Sequence, residues 1–425
     1  MKVVIIGGGW SGCAAAVTAK KAGADVTVLE KTDLLLGLGN VGGIMRNNGR
    51  FTAAEEIKYL GAQELIQITD QASRHKNVDF PGHRHASLYD VHKIEPLVRA
   101  KLEKMGIKIQ LMTRIVNVNM DGHTIQKLQT ADDTWINGDI FIETTGSTGP
   151  MGNCLRYGNG CCMCILRCPS FGPRVSISQR AGAEDILGQR EDESYGAFSG
   201  SCKLAKGSLS REIVEQLDQE GVVVIPVPPE DINLDKLSYK VCQQYALKEY
   251  AENIVLLDTG HAKLMTPFYP LEKLHKIPGL ESARYEDPYS GGKGNSIRYL
   301  SMAPRNNSLK VNNINNLLCA GEKSGLFVGH TEAIATGSLA GHNSVRLYLG
   351  MPLLELPRSL AVGDIIAFAN EMAQSAEGRK KRYTFSGGKY FEQMQEKDLY
   401  SMDIALIEKR VERIGLKDIF KEKLL

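Results

Sequence analysis

The chain has 425 residues, enough for two or three domains of about 150 residues each, so it does not need a disulfide scaffold. Hydrophobic residues make up 43% and charged residues 24%, and no apolar run approaches the ~18 residues of a membrane helix, so we expect no membrane contact. The formal net charge of +2 neither requires nor excludes an anionic partner such as a nucleic acid.

The N-terminal stretch "KVVIIGGGWSGCAAAVTAKKAGADVTVLEK" predicts a strand, a glycine turn, a helix and a second strand. Gly7, Gly9 and Gly12 have the G-x-G-x-x-G spacing directly after an apolar strand and directly before an Ala-rich helix. This order is typical of a dinucleotide site, in which the turn and the helix N-terminus hold the pyrophosphate. Glu30 ends the second strand about 20 residues on, where a carboxylate binds ribose hydroxyls. Lys31 and Gly43 are further candidate cofactor contacts.

The next segments are predicted to be scaffold. "YDVHKIEPLVRAKLEKMGIKIQL" (residues 89–111) has apolar residues at helical spacing and then a strand. His83 and His85 stand two apart in a predicted loop, where we expect them to be solvated or to face the substrate, with a metal pair as the less favoured alternative. We expect Cys13, Cys242 and Cys319 to be packing residues.

Two later segments favour FAD over NAD as the dinucleotide. "GDIFIETTGSTGP" (residues 138–150) is an apolar strand that runs into a Thr-Gly turn, with Thr145 and Gly146 as candidate contacts. "NNLLCAGEKSGLFVGHTEAIATGSLAG" predicts a strand, a Gly-rich loop and a helix from about residue 330, which would return to the cofactor. The candidate contacts in this return segment are Gly321, Glu322, Gly325, Gly329 and Thr331.

Five of the nine cysteines lie within "CLRYGNGCCMCILRCPSFGPR" (residues 154–174). Cys161, Cys164 and Cys168, followed by Pro169, give C-x-x-C-x-x-x-C-P, which is the end of the bacterial ferredoxin pattern. The candidate metal ligands are Cys154, Cys161, Cys164 and Cys168, with Cys162 or Cys202 as other sources of a fourth thiolate. An iron–sulfur cluster, a zinc site, a metal-free set of reactive thiols and a purely structural role all stay open.

If the thiols act without a metal, Cys168 is the candidate nucleophile. A thiolate is the reactive form of cysteine, and the adjacent Arg167 would favour it. Cys164 is the second candidate catalytic thiol. Because a cysteine that ligates a cluster cannot readily attack a substrate, the two roles compete for the same atom.

Three segments carry a resemblance to a known family. They are "IPGLESARY" (residues 277–285), "CAGEKSGLFVGHTEAIATGSLAG" (residues 319–341) and "LPRSLAVGDIIAFA" (residues 356–369). In this order they resemble the flavoprotein family of the tRNA-modifying enzymes TrmFO and MnmG (GidA), with TrmFO the more similar. "RCPS" (residues 167–170) is similar to the "YCPS" of MnmG-type sequences, whose cysteine is catalytic. The resemblance implies FAD, a reducing partner such as NAD(P)H, and one-carbon transfer from methylene-tetrahydrofolate to uridine in RNA.

The sequence therefore predicts an α/β fold: a two-dinucleotide FAD domain (Rossmann-like, GR2-type) with an inserted smaller α/β domain and C-terminal helices. The expected parts are a first FAD-binding part (1–150), an inserted substrate domain with the cysteine segment (151–295), a second FAD-binding part (296–350) and a helical segment (351–425). The expected activity is a flavin-dependent oxidoreductase in the cytoplasm. Its partner would be a small-molecule substrate or an electron carrier, with tRNA as an alternative, and a homodimer stays open. The basic run "GRKKRY" (residues 378–383) is a candidate RNA contact, or else a solvated loop.

Overall fold

A five-stranded parallel sheet forms the centre of the protein. The computed structural model describes residues 1–146, 168–199, 202–266, 269–286, 296–298 and 300–425. The parallel pairings give the strand order Leu317–Cys319, Ile140–Glu143, Lys2–Ile6, Asp25–Leu29, Lys108–Gln110. Four of the strands are short, largely apolar and buried runs, as parallel strands between layers normally are, whereas the edge strand Lys108–Gln110 is polar and partly exposed. The sheet thus joins chain segments that are far apart in sequence.

Two helices pack against each other on one face of this sheet. The first helix, Trp10–Lys21, is small-residue-rich, and so is the return helix, His330–Tyr348. A Cβ added at Gly337 would lie 2.2 Å from the Ser11 carbonyl oxygen, and one at Gly341 would lie 2.2 Å from that of Ala15. The glycines therefore allow the two backbones to approach closely.

An antiparallel four-stranded sheet, here called the inserted sheet, lies outside the parallel sheet. Its strands are, in spatial order, Cys202–Leu204, Ala262–Leu264, Asn253–Asp258 and Val222–Pro226. The helix Arg211–Glu220 packs on it, with the Ser210 side chain accepting a hydrogen bond from the Ile213 amide at the N-terminus. This helix leads directly into the strand Val222–Pro226.

The remaining strands form smaller sheets. One joins Ile44–Met45, His83–Tyr89 and Ser73–Phe80, and another joins Ile115–Asp121, Thr124–Thr130 and Trp135–Asn137. Two-stranded pairs join Ile186–Leu187 to Ser301–Met302 and Ala197–Ser199 to Ser296–Arg298.

The remaining elements are helices, and after residue 350 helices and 3-10 turns are the only elements described, as the sequence predicts. The α-helices are Gly39–Gly42, Arg50–Tyr59, Glu64–Gln71, Ile94–Lys104, Cys168–Phe171, Ile177–Arg180, Glu249–Glu252, Leu271–Leu274, Ala361–Ala373, Ala376–Lys380, Gly388–Glu396 and Ile404–Arg413. The 3-10 turns are Lys206–Ser208, Pro229–Asp231, Leu234–Tyr239, Gln243–Tyr245, Gly321–Ser324 and Ile419–Lys421. In the described ranges, no helix combines the length and the apolar character needed to cross a bilayer.

The fold class predicted from the sequence is confirmed: a parallel α/β core with an added antiparallel sheet and C-terminal helices. The expectation for His83 is wrong. His83 is buried on a strand, with its Nε2 3.1 Å from the Gln244 carbonyl oxygen, so it is neither solvated nor in a loop. Burial, reinforced by the nearby positive charges of Arg50 and Lys240, lowers the pKa of His83 to about 3.

Candidate flavin site and substrate chamber

The three motif glycines have three different geometric roles. Gly7 has φ +107°, and a Cβ there would lie 2.5 Å from the Thr144 carbonyl oxygen, so this glycine makes the turn. A Cβ at Gly12 would lie 2.0 Å from the Gly7 carbonyl oxygen, so Gly12 lets the helix approach the strand. A Cβ at Gly9 would meet nothing within 4 Å. Gly9 therefore leaves open space beside the backbone, as a pyrophosphate requires.

This open space belongs to a cavity of about 540 Å³. Ligand cavities of roughly 300–1,000 Å³ are typical of cofactor and substrate sites. Of the predicted cofactor contacts, the cavity wall includes Gly7, Gly9, Glu30, Lys31, Thr145, Gly146, Glu322 and Gly329.

Glu30 closes the dinucleotide end of the cavity. Its carboxylate is almost fully buried and accepts hydrogen bonds from the Gly8 amide at 2.7 Å and the Thr32 amide at 2.9 Å. Lys31 lies beside it and donates through Nζ to the Gly172 carbonyl oxygen at 2.9 Å. The acid is thus held at the end of the second strand, where a ribose would meet it.

The other predicted contacts lie behind the wall. Gly12 has the packing role given above. Gly43 and Gly321 have positive φ. A Cβ added at Gly43 would collide with the Thr259 side chain, and one added at Gly321 would collide with that of Ser11. Gly325 is extended, with φ −177°, and a Cβ added there would lie 2.4 Å from the Phe327 ring. The Thr331 side chain is fully buried at the start of the return helix, and its Oγ1 has no hydrogen-bond partner among the described residues.

FAD fits these residues. The open cradle at Gly9, the acid at Glu30 and the return-helix N-terminus at Gly329 and His330 all line one cavity. A dinucleotide needs hydrogen-bond donors for its pyrophosphate and an acceptor for its ribose. Two helix N-termini supply the donors, and one carboxylate supplies the acceptor. When bound, FAD supplies the redox chemistry, and the chain supplies binding and orientation.

Aromatic rings line the cavity beyond the dinucleotide end. The Trp10 and His330 rings lie 5.9 Å apart between centroids, and the buried Tyr89 hydroxyl lies 3.2 Å from His330 Nδ1. Tyr89 also donates to the Gly39 carbonyl oxygen at 2.6 Å. Burial raises the pKa of Tyr89, so this phenol stays protonated and acts as a donor.

The inserted sheet and the segment 240–245 supply the inner wall. The side chains there are polar or reactive and were not predicted as site residues: Lys203, Lys240, Cys242, Gln244, Tyr245 and Lys263. Lys263 Nζ donates to the Val41 carbonyl oxygen at 2.7 Å, and Lys203 Nζ donates to that of Asn40 at 3.3 Å. These hydrogen bonds connect the inserted sheet to the loop that follows the second strand.

Cys242 corrects one expectation. It is half-buried and lines the cavity, so it is not simply a core residue, whereas Cys13 and Cys319 are fully buried as predicted. Burial raises the pKa of the Cys319 thiol to about 12. Cys202 is also buried, in the core beneath the inserted sheet.

The predicted cysteine site falls largely outside the described residues. Cys154, Cys161, Cys164 and Arg167 are not among them, and Cys168 begins the short helix Cys168–Phe171. Within the described ranges, no group of three or more His, Cys, Asp or Glu side chains is arranged to hold a metal ion. The iron–sulfur, zinc and catalytic-thiol hypotheses therefore stay predictions.

The basic run at residues 378–383 is engaged inside the protein. Lys380 pairs with Glu377 at 3.0 Å, and Lys381 pairs with Glu191. Arg382 is buried and donates to the Gln189 carbonyl oxygen at 2.9 Å. The run thus serves the packing of the C-terminal helices, which favours neither of the two roles expected for it.

The fold and this cavity define a flavin-dependent enzyme that binds FAD. Comparison with solved structures supports the fold: the chain is similar to the GidA protein of Aquifex aeolicus in two crystal forms, at 15% identity, with TM-scores of 0.68 and 0.63. The alignments cover 97% of this chain and 76% and 78% of the Aquifex chains. The family model of glucose inhibited division protein A matches residues 2–269 and 265–352. The chain belongs to the glucose inhibited division protein A family.

Proposed function

We propose that this flavoprotein is a tRNA-modifying enzyme that transfers a one-carbon unit to a uridine base. The single observation that carries the proposal is the family match, which extends over residues 2–352. The three segments from residue 277 onward support the TrmFO-like branch of this chemistry, because they follow the TrmFO order. The cofactor is FAD, with methylene-tetrahydrofolate as carbon donor and NAD(P)H as reductant.

The shape of the cavity is compatible with this chemistry. It continues from the Gly9 cradle, past the Trp10 and His330 rings, to the inner wall of the inserted sheet. A reacting base therefore has room between the flavin-binding side and the wall that carries Cys242 and Tyr245. Such a chamber also keeps bulk water from the reacting atoms, which protects a reduced flavin and a reactive carbon donor.

The atoms and electrons of the proposed reaction balance. The methylene group of methylene-tetrahydrofolate gains a hydride equivalent that originates from NAD(P)H, and it becomes the methyl group on uridine. One ring carbon of uridine loses its proton to solvent and gains the methyl group. The two folate nitrogens that release the methylene group each gain a proton, so one proton is taken up overall. The products are methylated RNA, tetrahydrofolate and NAD(P)⁺.

Cys168 is the proposed catalytic thiol, with Arg167 favouring its thiolate form. The proposal rests on the similarity of "RCPS" to the corresponding motif of MnmG-type sequences. Cys164 is the second thiol to test. Cys168 begins a helix that ends just before Gly172, and the Gly172 carbonyl oxygen accepts a hydrogen bond from Lys31. This position is compatible with the role.

The test is a reconstitution with FAD-loaded protein, unmodified tRNA, NAD(P)H and methylene-tetrahydrofolate. We expect mass spectrometry of the digested nucleosides to show a uridine heavier by one CH₂ unit. Cys168→Ser should abolish this product while FAD stays bound, whereas Cys319→Ala, a buried thiol away from the cavity, should retain it. If NAD(P)H reduces the flavin but no nucleoside changes mass, the proposal is wrong.

A further inference from the structure

Two lysines face each other across the inserted sheet. The antiparallel strands Cys202–Leu204 and Ala262–Leu264 pair in a register that places Lys203 directly opposite Lys263. Directly opposed residues project from the same face of a sheet, and both of these side chains line the flavin cavity. Like charges in this position destabilise a sheet. The two opposed lysines therefore destabilise the folded sheet, and the strand pairing itself gives no reason for their presence.

A third lysine approaches the same place. Lys240 is buried, lines the cavity, and donates through Nζ to the Met265 carbonyl oxygen at 2.5 Å. Burial, and then the positive charge of Lys203, lower the pKa of Lys263 to about 7. Burial lowers the pKa of Lys240 to about 8. The positive charges of Lys203 and Lys240 thus both disfavour the charged form of Lys263.

Within the described part of the chain, no carboxylate is among the main influences on the pKa of Lys240 or of Lys263. Each of these two Nζ atoms instead donates to a backbone carbonyl, of Met265 and Val41 respectively. A buried cation without a counter-ion is costly, so an anion from outside the chain would be strongly favoured here.

A neighbouring amide points to a ligand independently of the charges. The Gln244 side chain is 4% exposed and lies in the cavity wall. Its Oε1 is buried and has no hydrogen-bond partner among the described residues. Unsatisfied buried acceptors are rare in folded proteins, so a donor from a bound molecule is expected at this place.

We propose that Lys203, Lys240 and Lys263, here called the lysine cluster, bind the carboxylate or phosphate group of a small-molecule substrate, and that Gln244 accepts a hydrogen bond from the same molecule. The molecule is small because Lys240 and Lys263 are only 9% and 5% exposed, so the backbone of a folded RNA cannot reach both. The inference rests on the proposed function in taking the cavity as the place of reaction. It concerns an anionic co-substrate and not the RNA itself.

The test uses the full-length protein loaded with FAD and contains no RNA. Inorganic phosphate and succinate are titrated separately against a chloride background at constant ionic strength, and the melting temperature and the flavin absorption spectrum are recorded. Because FAD is already bound, its own pyrophosphate cannot produce the response. We expect at least one of the two anions to give a saturable increase in melting temperature and a spectral change with the same midpoint.

Three variants decide whether the lysine cluster is responsible. Lys263→Met and Lys203→Met should each raise the midpoint concentration about tenfold or more, because a charge-assisted hydrogen bond is lost. Lys203 is half-buried, so its substitution guards against a failure of folding at Lys263. Lys276→Met, at an exposed position after the helix Leu271–Leu274, is the matched control and should leave the midpoint unchanged.

The outcomes separate this inference from the proposed function. A response to phosphate alone identifies a phosphate-bearing substrate, and a response to succinate alone identifies a carboxylate. If neither anion gives a saturable response, or if the cluster variants respond as the wild type does, the lysine cluster is not an anion site. The tRNA reaction can fail while anion binding is retained, because the two assays share no substrate.

Discussion

The Arg50 guanidinium lies against the Glu332 carboxylate inside the protein, with Arg50 Nε 3.2 Å from both carboxylate oxygens. Arg50 begins the helix Arg50–Tyr59, and Glu332 lies in the first turn of the return helix. The Glu332 carboxylate also accepts a hydrogen bond from the Phe385 amide at 2.9 Å. Since Arg50 lines the flavin cavity, this ion pair connects the cavity wall to the C-terminal segment.

Glu332→Gln should therefore lower the free energy of unfolding by about 3 kcal/mol, because it leaves the buried Arg50 without its counter-charge. The control is Glu377→Gln, whose carboxylate is 73% exposed in its pair with Lys380. That change should cost less than about 1 kcal/mol. Urea unfolding followed by circular dichroism measures both, and equal losses would mean that the buried pair contributes no more than a surface pair.

Gly9→Ala and Gly12→Ala should have opposite consequences although they lie in one motif. A Cβ at Gly9 meets no protein atom within 4 Å, and its φ of −68° is ordinary, so the variant should fold. The methyl group would occupy the space left for the pyrophosphate, so FAD should be lost on gel filtration. At Gly12 the Cβ would lie 2.0 Å from the Gly7 carbonyl oxygen, so the fold itself should be destabilised.

The flavin-to-protein absorbance ratio and the circular dichroism spectrum distinguish these two results. For Gly9→Ala we expect a native spectrum with little flavin, and for Gly12→Ala a lowered melting temperature even with excess FAD. A Gly9→Ala protein that retains stoichiometric FAD would show that the cofactor does not pass over this glycine.

His342 should make the protein less stable in acid. Its ring is fully buried, both ring nitrogens have no hydrogen-bond partner among the described residues, and its ring centroid lies 5.7 Å from that of Phe420. Burial, and then the charge of Arg346, lower the pKa of His342 from 6.5 to about 4. The unfolded chain therefore binds more protons between these pH values, and stability is lost as the pH falls from 6.5 to 4.

The loss attributable to His342 should reach about 3 kcal/mol at pH 4. His342→Leu removes the titrating ring, so its unfolding free energy should decline less steeply over this pH range than that of the wild type. Above about pH 7.5 the His342 ring is neutral in both the folded and the unfolded chain, so there the two proteins should show the same slope, which is the control. Parallel slopes for wild type and His342→Leu would contradict the assignment.

Asp258 holds the inserted sheet against the hairpin strand Ser73–Phe80. Its buried carboxylate accepts from Arg74 Nε at 2.9 Å and lies 2.8 Å from both His75 Nε2 and Lys206 Nζ. Burial alone would raise the pKa of Asp258, but Lys206, His75 and Arg74 hold it at about 2. This contribution to stability is present above the ordinary value of 3.8 and disappears as the pH falls through 2.

Asp258→Asn should consequently lower the unfolding free energy by about 2 kcal/mol at neutral pH. Limited proteolysis should also become faster in the segments that join the inserted sheet to the parallel sheet. Asp235→Asn, an exposed acid in the 3-10 turn Leu234–Tyr239, is the matched control and should stay within about 0.5 kcal/mol of the wild type. An Asp258→Asn variant as stable as this control would show that the contacts are not needed for docking.

The dinucleotide end of the site was predictable from the sequence, because its parts are neighbours along the chain. Gly7, Gly9 and Gly12 each require glycine for a local reason, and Glu30 follows at the end of the next strand. The return helix was predicted from about residue 330, where it begins, because a Gly-rich loop precedes a run of small residues.

The inner wall of the cavity was not predictable in the same way. Lys203 and Lys263 are distant in sequence and meet only through the register of an antiparallel pair, which no local pattern reveals. Cys242 was expected in the core because its neighbours are apolar, yet the 3-10 turn that follows it directs residues 242–245 to the cavity. His83 was expected in a loop because of the preceding Pro-Gly pair, but the pair is the tight turn of a hairpin.

The packing of the first helix on the return helix has a consequence for the order of events in the cell. Thr18 Oγ1 donates to the Ser338 carbonyl oxygen at 2.9 Å across a sequence separation of 320 residues. On the ribosome the glycine motif emerges first, but its helix keeps one face uncovered until the return helix has been made. Because both helix N-termini line the cavity, we expect flavin to bind only after the return helix has been synthesised, and a truncated chain that ends before the return helix should be colourless.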